Sequence, residues 1–459
     1  MVRQSVTSRK EIGKQARAKI SRSGHADWEP RADRRDPVQI LVAQNQQRLQ
    51  QLVPIRHARM AVSPFTFYRG AAAIMAEDLS GTTDSGLWVQ AGGDAHLSNF
   101  GAYASPSREL VFDANDFDET LPGPWEWDLK RLTTSLVVAG QHLGFTPGQQ
   151  RQLAASAVAR YRAAMTHFAD MSVMDLWYDY LNVEQLGTGA QVTNKDIKKR
   201  LDQFRNQARS KTSLQALRKL ATRESGGLRL RYQPPLLVPL HNMPAHLDLD
   251  EIREVIAHAY AEYVDSTPDH LKVLLSRFTM VDVALKVVGV GSVGTRCWVM
   301  LLEGRDDQDP LFLQIKEAVP SVLEDHLRPS EYSHQGRRVV EGQRLIQAQT
   351  DIFLGWTTGR NAKQYYVRQL RDWKGSANVE QGTVLEANFY ANLCARTLAR
   401  GHARSGDAVA IAAYAGVSSK LDDAIAEFSM RYADQNLRDY AAFTQAIAEG
   451  VLPVAKAAL

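Results

Sequence analysis

Residues 92–132, GGDAHLSNFGAYASPSRELVFDANDFDETLPGPWEWDLKRL, crowd Asp, Asn and Gly between two apolar, strand-like runs. The run 109–113 reads as a strand that delivers Asp113, Asn115, Asp116 and Asp118 to its carboxyl end, where a hard cation finds oxygen ligands. Asp94 stands upstream across a short polar loop, and Asn99 follows it at an offset of five. A phosphoryl group in flight needs positioning and charge neutralisation more than covalent help. One carboxylate must orient or deprotonate an acceptor hydroxyl, while an amide oxygen and a second carboxylate hold magnesium. Asp94, Asn99 and Asp116 fit those three roles. Clustered Asp, Asn and Gly also make ordinary turns, so the segment by itself does not decide between chemistry and structure.

A second segment, 284–318, supplies a partner. Gly289, Gly291 and Gly294 form GxGxxG, with Ser292 inside the turn. A dinucleotide-binding fold needs a helix directly after such glycines. Here 295–302 is rich in β-branched and bulky apolar residues, followed by a polar turn and another apolar run at 311–315 that ends in Lys316. Strand, glycine turn, strand, turn and strand place backbone amides and one lysine where phosphates of a nucleotide bind. The following stretch, 335–349, has helical spacing with Val339 and Val340 on an inner face, and Glu341 on it is positioned to pair with Lys316. Residues 351–358 and 364–370 read as a hairpin around Gly359 and Arg360, and 371–375 as a hinge whose backbone covers an adenine edge.

Residues 92–132 resemble the catalytic segment of the aminoglycoside-phosphotransferase branch of the kinase-like superfamily, with its Gly-Asp-x-His-x-x-Asn loop, later metal Asp and downstream Asp-Leu. Asp116, Gly123, Pro124 and Asp128-Leu129 fall at matching positions. Through SPFTFYRG, GDAHLSNFG, DFDET and WDLKRL, most of the chain also resembles an uncharacterised bacterial family, the domain of unknown function 2252 family. The first resemblance implies ATP and magnesium as cofactors, with Asp94 as base, Asn99 and Asp116 as metal ligands, and Lys316 on the nucleotide phosphates. Asp113 is retained as a second metal ligand or orienting group. Three departures stand out: Gly92-Gly93 replaces a His-Gly pair, Asp118 stands where glycine is usual, and the glycine turn follows Asp94 instead of preceding it.

A circular permutation reconciles that order, because original termini that lie close in space tolerate it. The expected fold is therefore α+β, bilobal, kinase-like and permuted. Its parts are a basic helical arm (1–60), a lobe with the catalytic and metal loops (61–245), a β lobe (275–375) and C-terminal helices returning to the first lobe (383–459). The helix at 383–400 leads into His402, Arg404 and Asp407, which are placed near Asp94 or serve as a helix terminator. His96 is read as shaping its loop. A binuclear metallophosphoesterase built on Asp94 and His96 ranks below, since it leaves Lys316 and the glycines unexplained.

Composition sets outer bounds. With 459 residues, 44% of them hydrophobic, the chain can bury a large core. A net charge of +4 is too small to imply nucleic acid, although 9–35 and 195–223 are locally basic. The first forty residues read as a mobile or loosely docked arm, and 234–244 as a linker. Arg56, Arg59 and Arg69 surround SPFTFYRG, with Arg69 within reach of a phosphate or clamped on aromatics. Two cysteines, Cys297 and Cys394, read as buried thiols, and no apolar run suits a leader or membrane span, so the cytoplasm is expected. The partners expected are a nucleotide and an unidentified small molecule or protein as phosphoryl acceptor. A weakly active nucleotide-binding regulator and a nucleotidyl transferase are the alternatives.

Overall fold

A computed structural model describes residues 4–187, 194–224, 227–243, 249–370, 372–375 and 382–456. It is an α+β structure in which an antiparallel sheet stands over a helical body. The sheet has six strands in the order Gly355–Thr358, Gln364–Gln369, Pro310–Glu317, Cys297–Glu303, Thr279–Lys286 and Leu237–Pro239. The last of these falls in the stretch expected to be a linker. Its backbone pairs with Thr279–Lys286, and Leu237 is buried, so it extends the sheet edge.

Strand alternation sorts this sheet into two faces. Met300, Leu302, Leu311 and Leu313 pack with Tyr263 and Phe353 on one side. On the other, Val299, Leu301 and Phe312 meet Ala216 and Leu220 of the Ser213–Leu220 helix. Cys297 and Tyr366 are both register partners of Lys316, so this second face turns polar near its end. The Gln335–Ile346 helix seats Val339 and Val340 against Tyr366 and Phe117, the inner face that the spacing predicted.

The helical body is built around Trp125–His142, which is buried from Trp125 to Gly140. Helices Pro147–Asp170, Val384–Ser405 and Lys420–Ala448 pack around it, and the first of them packs on the other two. Thr383 caps the second of these through a capping box with Glu386, a local device that fixes its start. Against this body lies a hairpin of Phe100–Ala104 and Leu110–Ala114. It is pinned by a buried ion pair: Arg400 donates to both oxygens of Asp113 at 2.7 and 2.6 Å.

The amino-terminal arm is docked, in contrast to the loose attachment expected. Arg34 donates to Asp78 and Asp439 at 2.6–2.9 Å, Arg9 pairs with Asp407, and Trp28 is buried against Phe428 and Tyr432. Charges that look solvated in one dimension thus find carboxylates more than 300 residues away in sequence. Among the described residues no helix is long and apolar enough to cross a membrane.

Two stability predictions follow from buried charge. Removing Arg400 strands Asp113 in the interior, so Arg400→Leu should lower unfolding free energy by about 3–5 kcal/mol in urea titrations. Burial pushes the Glu126 carboxyl up from 4.5 to about 7, although Ser85 N–H donates to it. Its folded form therefore holds a proton that the unfolded chain releases, and the associated stability is full below pH 4.5 and lost as pH rises to about 7. Glu126→Gln should flatten that decline by roughly 3 kcal/mol, as measured by unfolding at pH 5 and pH 8.

Candidate active site

The turn after strand Trp88–Ala91 is shaped by a carboxylate from the central helix. Gly92 N–H and Gly93 N–H donate to Asp128 at 2.6 and 2.9 Å, and His402 Nε2 lies 3.1 Å from the same carboxylate. Tyr161 hydroxyl contacts His402 Nδ1 at 2.8 Å. Gly93 has φ +78°, and a Cβ there would lie 2.2 Å from the Glu119 carbonyl oxygen. Glycine is thus required at position 93 by both conformation and space, whereas at Gly92, where the histidine is replaced, a Cβ would meet only Asp128 Oδ2 at 3.6 Å.

Asp94 emerges from this turn with its two oxygens differently engaged. Arg131 donates to Oδ1 through Nε at 2.9 Å, and its Nη2 lies 2.8 Å from the same oxygen. Arg131 also donates to the Tyr68 carbonyl and stacks over the Tyr68 ring at 4.0 Å, so SPFTFYRG buttresses the arginine. Oδ2 has His96 Nε2 at 3.7 Å, and Asp94 lines a cavity. Burial raises the Asp94 pKa, opposed chiefly by Arg131 and then by Arg69. His96 is buried, and desolvation with Arg69 and Arg131 nearby holds it neutral.

Asn99 Nδ2 donates to the Asp94 carbonyl at 2.7 Å, which leaves Oδ1 for the cavity it shares with Asp94 and Asp116. The Asp116 side chain retains 32% exposure, and its Oδ1 accepts from Asp118 N–H at 3.3 Å. Asp118 is occupied elsewhere. Its Oδ2 accepts from Lys316 Nζ at 2.6 Å and from Ser292 Oγ at 3.3 Å, and its Oδ1 accepts from Tyr366 hydroxyl at 2.6 Å. Burial works against the Asp118 charge, but Lys316 and Tyr366 bring its pKa below the usual carboxylate range. Lys316, 3.7 Å from Asp116, is held well above its ordinary value by both aspartates despite burial.

Two assignments from sequence require correction. Asp113 is not available as a metal ligand, because its strand direction turns it inward to Arg400 and away from the cavity. Glu341 does not orient Lys316; it pairs with Arg344 at 3.1 Å, one helical turn on. The helix reaches the Asp118 loop through Arg338, which donates to the carbonyls of Asp118, Thr120 and Val319. The hinge differs too. Gly375 and Asp372 backbone groups bond Ala102 and Ala104, so strand Phe100–Ala104 takes the edge expected for adenine, and Arg371 lies outside the described residues.

Of the glycine turn, Gly291 and Ser292 line the same cavity as Asp94, while Gly289 and Gly294 take positive φ of 71° and 95° at its flanks. Asp407 caps helix Ala408–Ala415 and pairs with Arg9, a structural role. Arg131, Tyr366 and Arg368 were missed. Arg131 follows Asp128 by three positions, which places both on one helical face and was readable within WDLKRL. Tyr366 and Arg368 needed the strand register, which pairs them with Lys316 and Gln314.

Among the described residues no group of three or more His, Cys, Asp or Glu side chains is arranged to hold a metal ion. Magnesium needs less from protein, since one or two side-chain oxygens serve when phosphates and water complete the octahedron. Asn99 Oδ1 and the accessible Asp116 carboxylate meet that demand. No curated protein and no solved structure matches the chain. Residues 48–446 match the model of a family described as an uncharacterized protein conserved in bacteria, DUF2252, and the chain belongs to that family.

Proposed function

We propose that the protein is an ATP- and magnesium-dependent phosphotransferase on a permuted kinase-like scaffold. The observation that carries this reading is the meeting of Lys316 with Asp118 at 2.6 Å and with Asp116 at 3.7 Å, from segments 198 residues apart. The glycine turn joins the first two strands of the Thr279–Lys286, Cys297–Glu303 and Pro310–Glu317 run, the lysine lies on the third, and a helix follows. Ser292 of that turn touches Asp118. This reading puts the nucleotide's phosphates between the turn and Asp116.

Residue roles follow from the free atoms. Lys316 and the turn amides bind the nucleotide phosphates, and Asn99 with Asp116 would hold magnesium, which neutralises phosphate charge when bound. Asp94 orients the acceptor hydroxyl through Oδ2 while Arg131 fixes Oδ1. As the bond from acceptor oxygen to the γ-phosphorus forms, the bond to the β,γ-bridging oxygen breaks. The hydroxyl proton passes to Asp94, and ADP leaves with the bridging oxygen's electron pair. Burial raises the Asp94 pKa and so improves its match to that task.

The readout is ATP consumption resolved by product, with magnesium and a metabolite extract as acceptor pool. ADP formation should fall by roughly 10²–10⁴-fold in Asp94→Asn while ATP still binds. Pyrophosphate in place of ADP would assign nucleotidyl transfer instead. Lys316→Met should weaken MgATP binding by about tenfold or more in calorimetry. No binding by the wild type at millimolar MgATP would overturn the proposal.

A further inference from the structure

The lining of the cavity beside Asp94 includes three arginines that the phosphotransferase roles leave unused. Arg56 comes from helix Val53–Met60, Arg69 from the end of Pro64–Arg69, and Arg48 from the turn after Pro37–Asn45; all three line the cavity with Asp94. Arg56 is fully buried. Its described partners are neutral: Asn45 Oδ1 at 2.7 Å, Gln44 Oε1 at 2.9 Å and the Gly70 carbonyl at 3.1 Å. Arg48 donates to the Val293 carbonyl of the glycine turn at 2.6 Å. The Nε atoms of Arg48 and Arg56 are buried without a hydrogen-bond partner among the described residues.

A buried guanidinium without an anionic partner is costly, and proteins keep such groups paired or use them to bind. Arg56 serves three acceptors, one more than the two N–H groups of an uncharged amide could, but none of the three neutralises its charge. The fork of a guanidinium matches phosphate oxygens, and more than one such donor converges here. Arg69 is near enough to Asp94 to hold its pKa down, so an anion at these arginines lies beside the proposed acceptor base.

Resting on the phosphotransferase reading, we infer that Arg48, Arg56 and Arg69 form a subsite for a phosphate group on the acceptor. The substrate class is therefore a phosphorylated compound with a free hydroxyl. The anion is held by the arginines while the hydroxyl points to Asp94 Oδ2.

Calorimetry on the full-length protein with inorganic phosphate tests this, alongside MgATP as the second ligand. Wild type should bind phosphate, and Arg69→Gln should weaken that binding roughly tenfold or more. Arg56→Lys keeps the buried charge but loses the fork, and should show the same direction. Lys316→Met should leave phosphate affinity within about twofold while weakening MgATP. Phosphate binding absent at ~10 mM overturns the subsite. Arginine variants that lose MgATP affinity in step with phosphate, or phosphate that competes with MgATP, overturn its assignment to the acceptor, because the arginines then hold the nucleotide's own phosphates. If wild type binds phosphate through the arginines but binds no MgATP, the phosphotransferase reading fails while the anion site survives.

Discussion

The geometry of the candidate site depends on the carboxylate of Asp128. It is buried, yet it accepts from Gly92 and Gly93 and meets His402, so a loop, the central helix and a C-terminal helix converge on one group. Charged acceptors in the interior bind amide donors about twice as strongly as neutral ones. They also tolerate little displacement, since an unmet buried charge is expensive. The direction in which Asp94 leaves the turn is thereby fixed by groups that have no chemical role of their own. Arg131, one turn further along the same helix, then fixes the Asp94 carboxylate itself.

Charge is distributed in the same manner around Lys316. Its ammonium is buried and remains charged because Asp116 and Asp118 face it. Asp118 carries three contacts and is thereby spent on structure, whereas Asp116 keeps open surface. Asp118 thus acts as the lysine's anchor, a role that Glu341 was expected to fill. Local helix geometry explains why it does not: Arg344 lies at i+3 from Glu341 and reaches it without crossing to the sheet.

Much of the fold was legible because local rules wrote it. Thr383 and Glu386 mark a helix start, Val339 and Val340 mark an inner face, and alternating residues mark the strands of the Lys316 sheet. The arm and the 234–244 stretch were misread for one reason. Their stabilising partners, Asp78, Asp439 and the Thr279–Lys286 strand, lie far away in sequence, so their own composition says only that they are polar or proline-rich. Asp113 and Asp116 pose the same difficulty within four residues. Both are aspartates at a strand end, and only the packing of the Val384–Ser405 helix shows that one of them faces Arg400.

The sequence by itself determined the chemical inventory: Asp94, Asn99, Asp116, the glycine turn and Lys316, each set in a local structure that propensity and spacing specify. Tertiary structure decided which members of that inventory meet. It joined Lys316 to Asp118, withdrew Asp113 and Glu341, and brought Arg131 to Asp94 and three arginines to the cavity that Asp94 lines. The physical reason is range. Capping, turns and amphipathic faces act over a few residues and leave a mark in the sequence, whereas a buried charge selects its partner by proximity in space, which neither spacing nor residue type records.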